Sequence, residues 1–476
     1  MDHLREAAAM ALASADGAAP ASDAKSRTAA VLVAAAVVAT AFNDLRPLLP
    51  VGELGPTAVI YVFPLLLLHT LTEPEKLAFP VLATILAIGL FAVIVAGVAA
   101  NFADVSGAYF KGRGGIGRVA TQGMSVVLGL LVCLMFYNFT RRGFLEAMSR
   151  GARITLLIMG GVGLLELGSW YHLPGLTQTH NALATVIHAE SGPVYPQRLR
   201  STAFEVSYAG VVLAFVFPFA LLGLPRGDRR RLLYLAIVAV LVTFARSRTA
   251  MLVIGSQALF LLWFSARERF DRILHGVTVA VFAAVLLTLN PATRETLGGA
   301  VTNLALYGNT AGAARQAEEN VSNITRLAAI HAGLSMFRER PLLGVGLGQY
   351  GFAYPSHVGA ADYRSWEVRR YVTSADPEWP PIFSLHVRIL AELGLLGYAI
   401  WCALILPVLW RSLPRVDPGT LTGRAHLAVS QTLAGWLLLG TSIDSFNFFG
   451  GWIALGVGLA LPRGRAPRPA AREESP

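Results

Sequence analysis

"GVGLGQYG", Gly344 to Gly351, holds the spacing G-x-G-x-x-G at Gly346, Gly348 and Gly351. In a dinucleotide-binding domain that spacing lies where a buried strand turns into a helix and the backbone approaches a pyrophosphate. Its reading therefore decides between an α/β enzyme and a different fold. Before the glycines stands "RLAAIHAGLSMFRERP" (326–341), a helical stretch stopped by Pro341. After them stands "FAYPSHVGAADYRSW" (352–366), which shows no helical period. Neither flank suits a βαβ unit, and the glycines imply a tight turn.

Composition points the same way. Of 476 residues, 54% are hydrophobic and only 14% charged, and the mean hydropathy is +0.55. Soluble domains carry about a quarter charged residues. The deficit comes from long apolar runs, so the chain reads as an all-α integral membrane protein. Cys133 and Cys402 both fall inside such runs, which disfavours disulfides and thiol metal sites.

Windows near the ~20 residues needed to cross a bilayer number about twelve. They run roughly over 28–44, 52–71, 79–100, 118–138, 153–172, 203–224, 232–246, 249–266, 273–290, 384–410, 427–443 and 448–463. The Arg-dense short connections are "TRRGFLEAMSRGAR", "PRGDRRR", "SARERFDR", "RSLPRVDPGTLTGR" and "PRGRAPRPAAR". With twelve spans and both ends cytoplasmic, all of them fall on one side, as the positive-inside bias requires. The net charge of +10 thus reflects topology and not nucleic-acid binding.

The expected organisation follows. Residues 1–27 form a cytoplasmic tail without a signal-peptide cleavage pattern. Residues 28–290 hold spans one to nine, 291–383 a large outer loop, 384–463 spans ten to twelve, and 464–476 a Pro- and Arg-rich tail. A loop as long as 291–383 should contain structure of its own. "SNITRLAAIHAGLSMFRER" supplies it, with Leu327, Ile330, Leu334 and Phe337 at helical spacing and Ser322 or Asn323 as cap.

Arginines that break the positive-inside bias are the candidates for function. Arg246 and Arg248 sit at the outer junction of spans seven and eight, Arg198, Arg200 and Glu205 at the outer start of span six, and Arg326 at the head of the loop helix. Lys111, Arg113 and Arg118 precede span four. Guanidinium groups clamp phosphate or pyrophosphate in bidentate fashion. Each could equally snorkel to lipid headgroups. Glu205 is either a general base or the partner that holds Arg198 or Arg200, the holding role being favoured. Glu392 lies four residues after Arg388, the spacing of an intrahelical pair. Glu166 and Asp444 sit near outer ends, and either contribute to the site or face water. His180, His188, His331, His357 and His386 lie on or near the outer side, without HExxH or paired-His spacing, so no metal or other cofactor is expected.

At these residues the chain resembles the O-antigen ligase and polymerase family of the bacterial cell envelope. "RLRSTAFEVSYAG" is similar to the family's arginine followed by a Glu-Pro-Ser-like element, with Val206 where proline is common. "SRTAML" matches its Ser-Arg pair. "TRLAAIHAGLSMFRERPLLGVGLGQYG" with "LHVRILAELGLLGY" resembles its long loop and the helix after it, so the likeness covers roughly the C-terminal 280 residues.

The resemblance implies a GT-C-like bundle of about twelve transmembrane helices in the bacterial inner membrane, with a periplasmic loop roofing a cavity. It implies a periplasmic-face glycosyltransferase whose donor is an oligosaccharide on undecaprenyl pyrophosphate and whose acceptor is a second glycan. Arg248 and Arg198 would hold the pyrophosphate, with Arg326 as a third clamp, Arg200 and Arg246 as support, and His386 as acceptor-side base or positioner. Membrane lipid and, for a polymerase, a chain-length regulator are the other implied partners. A repeat-unit polymerase for O-antigen or exopolysaccharide is the first reading. An O-antigen ligase acting on lipid A–core is the alternative, followed by a protein oligosaccharyltransferase and a transporter.

Overall fold

The computed structural model describes residues 24–49, 51–72, 77–189, 197–225, 227–265, 321–375, 377–413 and 419–462. Among them the only strands are β1 (Tyr109–Phe110) and β2 (Arg113–Gly114), a minimal antiparallel hairpin. Everything else regular is helical. Four of the described helices are long and apolar enough to cross a membrane: α3 (Val81–Ala100), α5 (Gly115–Arg141), α6 (Leu145–Trp170) and α14 (Leu385–Ser412). Shorter apolar helices accompany them: α1 (Ala24–Ala39), α2 (Val59–Leu71), α8 (Val206–Leu222), α10 (Arg248–Ser265) and α16 (Phe449–Ala460). The bundle is completed by α9 (Arg230–Ala245) and α15 (Leu421–Leu439). Each apolar window of the sequence coincides with one of these helices, apart from 273–290, which lies outside the described residues along with 291–320, the C-terminal tail and residues 1–23; the last four residues of the expected N-terminal tail are already part of α1.

Why α8 forms the centre follows from its composition. "VSYAGVVLAFVFPFALL" is apolar on every face, and a helix of that kind has to be surrounded. From Ala209 to Leu222 every residue is buried, against α6, α9, α10, α15 and α16. By contrast α3 leaves Val81, Ile85, Ile88 and Val95 exposed on an apolar outer face, the surface a lipid tail would cover. Aromatic side chains lock α14, α15 and α16 together, where Trp401, Trp436 and Trp452 meet edge to face with centroids 5.0–5.6 Å apart. Gly129 admits that cluster: a Cβ there would stand 2.3 Å from the Trp452 ring.

The connections 40–49, 51–58, 101–114, 171–189, 197–205, 246–247 and 440–448 gather at one end of the bundle, the upper end, where Asp44 meets His188 and Arg200, Leu199 meets Phe244 and Arg388 meets Asp444. Helix α4 (Phe102–Gly107), the hairpin and α7 (Pro174–Ile187) lie there, with α11 (Val321–Glu339), α12 (Tyr350–His357) and α13 (Trp366–Thr373). The window 52–71 begins too early, because Gly52, Gly55 and Pro56 keep residues 51–58 in turns and the helix starts only at Val59. The loop helix also differs from its sequence reading. It is already helical at Val321, the first described residue of the segment, so Ser322 and Asn323 lie within the helix and neither is its cap. Its buried stripe is Thr325, Ala328, Ala329, Ala332 and Met336, while Leu327, Ile330, Leu334 and Phe337 are only half-buried. Small residues win the inner face because they let the helix approach α14 closely; a Cβ on Gly333 would stand only 2.7 Å from Ile382 and Val387.

The opening glycines have a mechanical explanation. Helix α14 breaks at Gly394, where φ is 65°. By the i→i−4 rule the amides of Leu395 and Leu396 would have bonded the carbonyls of Ala391 and Glu392. Instead Leu395 and Leu396 donate to the carbonyls of Pro341 and Leu342, and the freed carbonyls accept from the amides of Val345 and Gly346, at 2.8–3.3 Å. The turn thus replaces both missing bonds. Gly344, at φ 66°, has no room for a Cβ, which would lie 2.5 Å from the Ala391 carbonyl oxygen. A short helix, α12, does follow these glycines although no helical period announces it. A helix and not a strand precedes them, so the arrangement is no nucleotide fingerprint.

Candidate functional site

Three polar stations and one cavity occupy the upper end. The first is built around Asp44, which is 3% exposed. Its Oδ2 lies 2.8 Å from His188 Nδ1 and 3.4 Å from Arg200 Nη1. His188 Nε2 donates to the Ser201 carbonyl at 3.0 Å. Glu166 takes the amides of Arg200 and Ser201 at 3.2 and 2.8 Å. Arg200 is therefore held by Asp44, and not by Glu205 as its position in sequence implies. Arg198 is exposed two residues away, since Leu199 between them is buried.

The second station joins α5, α14 and the connection 40–58. Arg388, at the first turn of α14, donates to Gln122 Oε1 and to the Asp444 carbonyl at 2.6 Å each, and to Glu392 Oε2 at 3.2 Å. The expected Arg388–Glu392 pair is present. Glu53 receives Arg118 at 2.7 Å and Gln122 at 3.1 Å. Burial alone would raise the Glu53 carboxyl, but the guanidiniums of Arg118 and Arg388 and the two hydrogen bonds outweigh it and hold it at about 2. Trp379 is covered by Arg118 and Arg113, at 4.6 and 5.2 Å from its ring.

The third station contains Arg326, Phe383 and Glu205. The Arg326 guanidinium lies 4.7 Å over the Phe383 ring and reaches the Ser442 carbonyl at 3.5 Å. Glu205 hydrogen-bonds Ser207 and lies in the fields of Arg326 and Asp444. Arg248 is exposed at the first residue of α10, and Gly210 packs on Ala250, so α8 and α10 start side by side. Arg246 adopts a left-handed conformation, φ 50°, and its Nε is buried without a hydrogen-bond partner among the described residues. Ser201 and Phe383 are left-handed too, at 53° and 56°. Such non-glycine residues cost about 1–2 kcal/mol each and collect at functional sites.

His386 lies apart from these groups. Its Nε2 donates to the Leu437 carbonyl at 2.9 Å, and its ring stands edge-on to Tyr398. It stitches α14 to α15.

Between the first two stations opens a cavity of about 420 Å³, within the roughly 300–1,000 Å³ usual for small-molecule sites. Asn43, Asp44, Glu53, Ser445 and Asn447 line it together with the apolar faces of Phe204, Phe215, Phe448 and Phe449. No described arginine lines it. Sequence reasoning missed Asp44, Glu53, His188 and Gln122 as members of the site. The available signal was a carboxylate at the outer end of each of the first two apolar windows, Asp44 closing 28–44 and Glu53 near the start of 52–71.

A family model described as O-antigen ligase matches residues 233–402. The match covers little more than a third of the chain. A search of curated proteins finds no match for the chain. The matched segment takes in Arg246, Arg248, Arg326, His386, Arg388 and the glycine turn. It leaves out Arg198, Arg200, Glu205 and every residue that lines the cavity.

Proposed function

We propose that this chain is a glycosyltransferase of the bacterial inner membrane that works at its periplasmic face. It transfers glycan from undecaprenyl pyrophosphate to a glycan acceptor and so polymerises repeat units of O-antigen or exopolysaccharide. The match of residues 233–402 to the O-antigen ligase family carries this reading. Twelve spans of the GT-C type, with the upper end outside, belong to it and rest on the one-sided Arg-dense connections.

In this reaction an acceptor hydroxyl attacks the anomeric carbon, the bond from that carbon to the pyrophosphate oxygen breaks, and negative charge grows on the leaving group. Fixed cations aimed at that charge lower the barrier. Arg248 and Arg198, both exposed at the upper end, clamp the pyrophosphate; Arg326 is the third clamp, and Arg200 and Arg246 support them. Glu205 holds Arg326. His386, with Nε2 committed to a main-chain carbonyl, acts as a positioner.

The family's description favours one further reading, a ligase that moves finished polymer onto lipid A–core. Against it stands the segment "FSLHVRILAELG", with Phe383 and Ser384 where the ligases it resembles carry a His-Asn pair. The glycan profile of a deletion strain decides. A polymerase loses all long polymer; a ligase leaves polymer on the undecaprenyl lipid, unattached to core. Reconstituted protein that lengthens lipid-linked glycan without an ion gradient excludes a transporter.

A further inference from the structure

The arginines assigned to the pyrophosphate leave the 420 Å³ cavity unexplained. Its walls come from the connection 40–58, α1, α8 and the segment 445–450, all outside the matched segment. An anionic ligand does not suit it, since two carboxylates and no described cation face it. Nor does a hydrocarbon tail alone, since its upper wall is amide, hydroxyl and carboxylate.

Both acids are held so that part of each remains available. Asp44 uses Oδ2 for His188 and Arg200, and Oδ1 has no partner among the described residues. Glu53 accepts Arg118 at Oε1 and Gln122 at Oε2, yet 44% of its side chain stays open to further donors. Asn447 Oδ1 is buried and likewise lacks a partner among the described residues. An ionised carboxylate can only accept hydrogen bonds. The complement is therefore a ligand rich in hydroxyl donors, with apolar C–H faces for Phe204, Phe448 and Phe449.

We propose that this cavity is a sugar-binding subsite for an uncharged portion of the transferred glycan, with Asp44 and Glu53 as hydroxyl-reading residues that disfavour uronates. The inference rests on the glycosyl-transfer reading and deepens it by naming the sugar class. Hydroxyl-to-carboxylate bonds are charge-assisted and short, whereas a second carboxylate beside Asp44 and Glu53 meets like charge.

The test uses the full chain in lipid nanodiscs and two probes. One is undecaprenyl pyrophosphate without sugar; the other is the lipid-linked oligosaccharide extracted from a strain deleted for this chain. Glu53→Gln removes a charge. Val212→Trp fills the cavity while leaving the hydrogen-bonded stations intact. Each variant should weaken the oligosaccharide lipid about tenfold or more, as expected for one charge-assisted contact, and leave the sugar-free lipid unchanged. Oxidising the glycan's primary alcohols to carboxylates should weaken wild-type binding further, and Glu53→Gln should recover part of it. Folded Val212→Trp that binds the oligosaccharide lipid like wild type overturns the subsite. Equal weakening of both probes overturns it too, because the cavity would then hold the carrier. If wild type binds neither probe, the glycosyl-transfer reading itself falls.

Discussion

The Arg388 guanidinium donates to the Gln122 amide oxygen at 2.6 Å across 266 residues of sequence. Through that bond the matched segment grips α5, and through Gln122 it reaches Glu53 in the first upper connection.

Arg388→Ala should therefore destabilise the fold by about 3–5 kcal/mol, the range for removing one partner of a buried ion pair. Glu392, 2% exposed, would be left without its cation. Arg388→Met combined with Glu392→Leu should lose less than Arg388→Ala alone. Unfolding in detergent measures both, and a double variant worse than the single would refute the buried-charge explanation.

Gly344→Ala should be far more damaging than Gly112→Ala. Both glycines have positive φ, 66° and 75°, so both substitutions carry the left-handed penalty of about 1–2 kcal/mol. Only Gly344 has a wall behind it; around Gly112 nothing lies within 4 Å of the added Cβ. Equal melting temperatures for the two variants would mean that the splice into α14 contributes nothing.

Acid should weaken the second station in a defined window. The folded Glu53 carboxyl is depressed from its ordinary 4.5 to about 2. A depressed carboxyl contributes its stability in full above the ordinary value and loses it as pH falls through the folded one. The stability gap between wild type and Glu53→Gln should thus be constant at neutral pH and shrink from pH 4.5 towards pH 2. A gap that stays flat across that window would show that Glu53 is not held as an anion.

Arg248→Ala and Arg198→Ala should abolish polymer at near-normal protein levels, because both side chains are exposed and removing them leaves no cavity. Each loss is worth about 1.5–3 kcal/mol, the range for a hydrogen bond to a charged group. Arg248→Lys should rescue poorly, as an ammonium makes no planar bidentate contact. His386→Ala should reduce polymer only partly. A His386 variant as inactive as Arg248→Ala, at normal expression, would make His386 the base.

A periplasm-dependent reporter should be active when fused after Gly346 and silent after Arg230. Activity at Arg230 would invert the sidedness and move the whole site to the other face of the membrane.

The apolar windows were legible because each helix carries its own hydrophobic signal, and Arg388–Glu392 because four residues make one helical step. The glycines were legible as a turn. Other features carry no local signature. Asp44 meets His188 and Arg200 across 144 and 156 residues, and no spacing rule joins them. The loop helix misled for a physical reason. Its larger apolar residues suggested the packed face, but close approach to α14 selects alanines, which a hydrophobicity pattern ranks lower.

The splice at Gly394 has a mechanical consequence. Below the break, α14 hangs by Leu395 and Leu396 from the carbonyls of Pro341 and Leu342; above it, Ala391 and Glu392 hold the amides of Val345 and Gly346. The two rods of α14 are thus coupled to each other through a crank whose arm is the end of α11. Neither half of α14 can shift along its own axis without breaking bonds to the turn 341–346, so the four hydrogen bonds fix the two halves to the end of α11 as well as to each other.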